Sequence, residues 1–184
     1  MCIRDRDFAD IRGQRSAVEA ALVAAAGGHH MLMLGPPGAG KSMIAQRLPT
    51  ILPRLSYAHA LEVTAVHSLK GCLDAEHPLI TVPPFEAPHA GITGPALLGG
   101  GSGYASPGAV SLAHRGVLFL DECTEIPASI LDMLRAPLQD GEVRISRSKG
   151  TVTYPSRCQL ILAGNSCPCG APACLLYTSP SPRD

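Results

Sequence analysis

Three unbroken apolar runs stand out along the chain: "HMLMLG" (30–35), "GVLFLDE" (116–122) and "QLILAGN" (159–165). None alternates with polar residues, and each stops at glycine or a polar side chain. Short runs of this kind predict strands buried on both faces, as in a parallel sheet covered by helices. Helical patterns lie between them. "RSAVEAALVAAAGG" (15–28) is Ala-rich and stops at a glycine pair, and "KSMIAQRL" (41–48) is disturbed at its end by Pro49. "SYAHALEVTAVHSL" (56–69) has Ser56 placed as a cap, and "PASILDMLRAPLQDG" (127–141) starts at Pro127 and stops at Gly141. Around "SKG", "VRISRSKGTVTY" (143–154) alternates apolar and polar residues, predicting a hairpin. The stretch Gly71 to Gly108 is rich in Gly, Pro and small residues and reads as a long loop-rich insertion. The expectation is an α/β domain with a parallel sheet flanked by helices.

Composition narrows the class without naming a function. A chain of 184 residues that is 46% hydrophobic can bury one substantial core. With 15 basic and 15 acidic residues it is no broadly basic nucleic-acid binder, so any DNA contact must come from a local patch. The longest apolar helical stretch, Ala20 to Ala26, is well short of the roughly 20 residues that span a bilayer, so no membrane partner is expected. No secretory leader opens the chain, and seven cysteines without one suit reduced thiols and a cytoplasmic location.

The chemistry begins at Gly35-Pro36-Pro37-Gly38-Ala39-Gly40-Lys41-Ser42, which fits G-x-x-x-x-G-K-[ST] between a predicted strand and a predicted helix. Glycines let backbone N–H groups wrap a phosphate, and the following helix aims its positive end at the same anion. Lys41 would reach the β- and γ-phosphates of ATP, and the Ser42 hydroxyl would bind Mg²⁺. "VLFLDE" ends in Asp121 and Glu122. Asp121, on a strand expected beside the P-loop strand, would hold the magnesium, while Glu122 would polarise the attacking water. "LILAG" ends at Asn165, whose amide would sense the γ-phosphate. Each acid or amide alone marks no more than the end of a strand; together they indicate a nucleoside triphosphatase.

"DFADIRGQ", "GPPGAGKSMIAQRLPTILP", "EVTAVHSL", "PPFEAPHAGIT", "LAHRGVLFLDE" and "LRAPLQDGEVRISR" together resemble the magnesium-chelatase-like AAA+ ATPases of the YifB/ComM family. The likeness runs from Asp7 to about Ala173, and "DECTEIP" is closer to an actinobacterial branch. Three departures stand in it: Ser42 for the usual Thr, "NSCPCG" for "NPCPCG", and a missing second histidine in "PHAGIT". The resemblance implies an AAA+ core with a β-hairpin before the sensor strand, Asp121 and Glu122 as the Walker B acids and Asn165 as sensor 1. It places Ile11 to Gln14 near the adenine and implies assembly as a ring, expected to be a hexamer. It also implies that the helical lid and the arginines completing the γ-phosphate site lie beyond Ala173, so that this chain would bind ATP with little turnover. ComM-type members are DNA branch-migration motors, and Arg144, Arg147 and Lys149 on the hairpin are the DNA-contact candidates. Two alternatives stay open: a magnesium-chelatase motor that drives metal insertion into a porphyrin, and a non-hydrolysing nucleotide-dependent interaction module. The intact Glu122 weighs against the second.

Both termini read differently. "CLLYTS" can be encoded TGT CTC TTA TAC ACA TCT, whose reverse complement contains ATG TGT ATA AGA GAC, the codons of "MCIRD". Complementary coding at the two ends is no folding signal, and it resembles a library adaptor translated at each end of a fragment. Residues 1–6 and 174–184 are therefore expected to be non-native tails around a partial ATPase core at 7–173. Cys167 and Cys169 supply two of the four ligands zinc needs, so a zinc site is conceivable only in an intact, longer protein. Cys72, Cys123 and Cys158 read as packing residues, and the histidines, among them His29, His30, His67, His89 and His114, as loop or packing residues.

Overall fold

A computed structural model of the chain describes residues 7–73, 76, 78–101, 105–147 and 150–165. Its centre is a four-stranded parallel sheet in the order β1 (Met31–Gly35), β8 (Gln159–Asn165), β5 (Val117–Leu120), β2 (Phe85–Glu86). The helices α1 (Arg15–Gly27), α2 (Lys41–Arg47) and α3 (Tyr57–Lys70) occupy the first half of the chain. The short α4 (Gly94–Leu98), α5 (Ala109–Leu112), α6 (Ala128–Asp132) and α7 (Arg135–Asp140) follow. A minor pair, β3 (Gly99–Gly100) with β4 (Ser106–Pro107), and an antiparallel hairpin, β6 (Glu142–Arg147) with β7 (Gly150–Pro155), complete the set.

Side chains of a strand alternate between the two faces of its sheet, and here each face has its own core. Val117 and Phe119 of β5, with Ile161 and Ala163 of β8, pack beneath Ala21 of α1 and Ile44 of α2. Leu118, Leu120 and Leu160 point the other way, onto Leu97, Val110, Leu134 and the hairpin residues Val143, Ile145 and Tyr154. Each Val, Leu, Ile or Phe among them contributes about 1.5–3 kcal/mol when fully buried. At β5 and β8 this is the doubly covered sheet predicted from the unbroken apolar runs, and the whole has the P-loop AAA+ architecture.

Four expectations need correction. First, β1 is not buried on both faces: Met33 is buried, yet Leu32 is 55% and Leu34 63% exposed. The strand lies at the edge of the sheet, and among the described residues its second face is left largely exposed. Second, β8 lies between β1 and β5, so Asp121 is not on the strand beside the P-loop strand. Third, the presumed loop from Gly71 to Gly108 supplies β2, a strand of the main sheet, along with α4 and the small β3/β4 pair. Two residues are too few to show any periodicity in sequence.

The fourth is the helix expected over 127–141, which is two, with Pro127 as the cap of α6 rather than a first-turn residue. Pro137 has no N–H for the Met133 carbonyl, and its ring would collide with that carbonyl in a continuous helix. The chain bends at Met133 and Leu134 and restarts with Pro137 in a first turn, where no intrahelical donor is required. Elsewhere the punctuation is as predicted. Ser56 accepts a hydrogen bond from the His59 N–H at 3.3 Å to start α3, and Gly28 and Gly141 end α1 and α7 in the left-handed conformation.

Among the described residues no helix is long and apolar enough to cross a membrane. Both terminal segments read as adaptor-like, residues 1–6 and 174–184, lie outside the described residues, as do Cys167, Cys169 and Lys149.

Candidate functional site

The C-terminal ends of β1, β8 and β5 converge on one cavity of about 340 Å³, lined by residues 37–43 with Asp121, Glu122 and Asn165. The register explains the convergence. Gly35, the last residue of β1, pairs with Asn165, the last of β8, so the sensor amide starts beside the glycine loop. Leu120 of β5 pairs with Leu162, which carries Asp121 and Glu122 to the same edge. Gly38 and Gly40 have φ of 77° and 85°, a region open to glycine and strained for other residues. The loop can therefore turn tightly into α2 at Lys41.

Within the cavity the polar groups contact one another. Lys41 Nζ donates to the carbonyls of Gly35 at 2.8 Å and Pro36 at 2.9 Å, and to Asn165 Oδ1 at 3.2 Å. Ser42 Oγ donates to Asp121 Oδ2 at 2.6 Å, bringing a hydroxyl and a carboxylate oxygen together from residues 79 apart in sequence. The other carboxylate oxygen, Asp121 Oδ1, accepts the Glu122 N–H at 2.9 Å. Glu122 has φ of 51°, one of three non-glycine positive values among the described residues, with Gln14 and Arg115. The bond from its own N–H to Asp121 helps hold that conformation, which is uncommon for a non-glycine residue and costs about 1–3 kcal/mol where it is strained. Two oxygen donors in contact form the start of a hard, oxygen-only ligand set, which suits Mg²⁺.

Residues 35–42, Asp121, Glu122 and Asn165 are thus brought together as the sequence led one to expect. Ile11 and Gln14 are not among the residues lining this cavity. Ile11 ends the 3₁₀ turn Phe8–Asp10 and packs against the α1/α2 core, while Gln14, in the left-handed region, precedes α1. Of the DNA-contact candidates, Arg144 is exposed and its guanidinium meets Glu142 on its own strand, a pairing that raises its pKa. Arg147 pairs through its backbone with Gly150 at the end of the hairpin, and its side chain lies outside the described residues.

Several of the described histidines make structural hydrogen bonds. His30 Nδ1 accepts the Leu160 N–H at 3.0 Å, His67 Nε2 donates to the Leu112 carbonyl at 2.9 Å, and His89 Nδ1 accepts the Gly91 N–H at 3.0 Å. Among the described residues no group of three or more His, Cys, Asp or Glu is arranged to hold a metal. Cys158 is half-buried, and that desolvation pushes its thiol up to about 12, but Cys72 is exposed rather than packed.

Sequence reasoning missed a network on the opposite side of the sheet. His114, 2% exposed, accepts the Arg157 N–H on Nδ1 at 3.1 Å, so the proton is on Nε2, which meets Glu62 Oε2 at 3.1 Å. Arg115 Nε donates to the same oxygen at 3.2 Å. Burial lowers the His114 pKa against the opposing pull of Glu62, and the His114 hydrogen bond lowers that of Glu62. These three segments are distant in sequence and carry no shared motif.

With a P-loop turn, a Ser–Asp pair and a strand-end Asn on one edge of a parallel sheet, the comparison with known proteins is decisive. The family "Magnesium chelatase, subunit ChlI" matches residues 7–175. The chain belongs to this family. It is 60% identical over 167 residues to an uncharacterized protein of Mycobacterium tuberculosis strain H37Rv, covering 91% of this chain and 33% of that protein. It is 46% identical over 165 residues to the competence protein ComM of Haemophilus influenzae, covering 89% of this chain and 32% of ComM. The chain therefore spans about a third of the length of these relatives. A solved complex of the magnesium chelatase subunits BchI and BchD contains a chain that matches with a TM-score of 0.63 at 24% identity, covering 87% of this chain and 55% of that one. The resemblance to the YifB/ComM family is borne out.

Proposed function

We propose that this ChlI-family chain is the ATP-binding core of a ring-forming motor of ComM type, which couples ATP hydrolysis to the remodelling of DNA. The observation that carries the reading is the Ser42–Asp121 pair at 2.6 Å beside Lys41 and Asn165 in one cavity. Ser42 and Asp121 would hold magnesium, which would neutralise charge between the β- and γ-phosphates. Lys41 would exchange the Gly35 and Pro36 carbonyls for phosphate oxygens, aided by the N–H groups of the loop and the start of α2. Glu122 would accept the proton of the attacking water, with Asn165 orienting that water against the γ-phosphate.

DNA as the polymer acted on is what the resemblance to ComM-type motors implies, and the basic residues Arg144, Arg147 and Lys149 of the hairpin sequence suit it. Arg144 is paired with Glu142, so the test falls on Arg147 and Lys149. A chelatase motor is the secondary reading, since its support in solved structures is a likeness of fold at 24% identity.

The reading is tested in a protein of the relatives' length. Glu122→Gln should leave ATP affinity within about twofold and cut steady-state phosphate release by roughly 100-fold or more. The Arg147→Ala, Lys149→Ala double variant should keep ATP binding and weaken DNA binding. Its log-affinity should fall less steeply with log salt, by about two units of slope. Unchanged turnover in Glu122→Gln would defeat the hydrolytic assignment, and an unchanged salt slope would defeat the DNA contact.

A further inference from the structure

A second and larger cleft, of about 550 Å³, opens at the opposite, N-terminal ends of the central strands. It is within the roughly 300–1,000 Å³ of small-molecule sites. Seven residues of β8 separate it from the P-loop edge, about 20 Å at some 3.3 Å per residue. Three arginines line it: Arg54 from the loop before α3, Arg115 from the turn into β5, and Arg157 from the turn into β8. Asp140 is the single carboxylate among the lining residues, which also include His59.

The guanidiniums are held or left free in a way that suits an anion. Arg115 is fixed through Nε on Glu62, and its N–H bonds the Arg157 carbonyl at 2.7 Å with φ at 60°. Backbone strain of that kind clusters at sites with a task. Arg157 lies over Gly141, where a Cβ would come within 2.9 Å of its Cγ and 3.0 Å of its Nε. Among the described residues neither Arg157 nor Arg54 has a carboxylate partner. Leu52, Pro53, Leu55 and Pro83 give the same cleft an apolar wall. Planar guanidinium forks recognise phosphate, and a guanidinium or an apolar wall offers a base a surface to stack on.

We propose that this cleft is a second ligand site, which takes a nucleotide unit by its phosphate, with Arg157 and Arg54 as the phosphate ligands. The unit comes either as a free nucleotide or as one residue of a nucleic-acid strand. The site is separate from the P-loop cavity and does not depend on its assignment.

The test uses the Lys41→Ala form of the chain, so that the P-loop does not compete, titrated with AMP and with a short oligothymidylate by calorimetry. Saturable binding of either probe, displaced by inorganic phosphate, is expected. AMP binding identifies a free nucleotide as the source; binding of the oligothymidylate alone identifies a strand. Arg157→Ala and Arg54→Ala should each weaken binding about tenfold or more, as loss of a charged hydrogen bond does. Asp140→Asn should tighten it two- to threefold, a gain that misfolding would not produce. The proposal falls if neither probe saturates, if both arginine variants bind like the parent, or if Asp140→Asn does not bind tighter. It also falls if the parent chain self-associates through Arg157 without binding either probe, since the cleft would then serve a second copy.

Discussion

The two ends of the same parallel sheet are built from opposite materials. At the C-terminal end the polar groups satisfy one another, Ser42 on Asp121 and Lys41 on Asn165, around a loop of glycines. At the N-terminal end Arg54 and Arg157 stand, among the described residues, without carboxylate partners around a wider cleft. One end assembles its groups from strand ends and the turns that follow them. The other collects them from three separate connections. Each strand end is legible by itself because a turn and its flanking strand are contiguous, although Ser42 and Asp121 are 79 residues apart. The connections are dispersed because only the sheet order makes neighbours of the turns into β5 and β8.

The largest effect that would sharpen this contrast is at Lys41. Lys41→Ala should weaken ATP binding by about 100-fold, the loss expected of a charged phosphate contact. The Arg54→Ala, Arg157→Ala double variant should leave ATP binding within about twofold, as read by displacement of a fluorescent ATP analogue. A large loss in the double variant would mean that the two ends act as one site.

The next effect compares a thiol at each end. Cys158 lines the N-terminal cleft with its thiol pushed up to about 12 by burial, while Cys123 beside the P-loop edge is raised by partial burial. A shift of that size lowers the thiolate fraction about a thousandfold, only partly offset by greater nucleophilicity. Iodoacetamide at pH 8, followed by peptide-resolved mass spectrometry, should modify exposed Cys72 at least roughly thirtyfold faster than Cys158, with Cys123 between them. Prompt labelling of Cys158 would show that the N-terminal floor opens.

The smallest effect is in pH. His114 is buried neutral, with its folded pKa below the ordinary 6.5. The unfolded chain then binds more protons between those two values, so stability falls as pH drops through 6.5. The Glu62 carboxyl, also lowered, adds a loss only as pH falls below its ordinary 4.5. Melting temperature should decline from pH 7 toward pH 5, and His114→Gln should flatten part of that slope. An equal slope in both proteins would remove His114 as the titrating group.

Much of the fold was legible because it is local. The helix start at Ser56, the stops at Gly28 and Gly141, and the hairpin over 142–155 follow from caps, turns and alternation within a few residues. The split at Met133 is equally local, since Pro137 announces it, although the apolar period runs on past the proline. Strand β2 was hidden for a different reason. Two residues hydrogen-bonded to β5 carry no pattern, and only the finished sheet makes them a strand.

By itself, the sequence determined the nucleotide-site chemistry: glycines where φ must be positive, a lysine and hydroxyl opening a helix, and acids and an amide closing apolar strands. These depend on spacing within a turn, which the covalent chain sets. Tertiary structure alone decided that β8 separates Asp121 from the P-loop strand and that β1 exposes Leu32 and Leu34 at an edge. It alone brought Arg54, Arg115 and Arg157 to one cleft. Strand order is chosen by how two hydrophobic faces are covered together, a property of the whole sheet that no window of sequence contains.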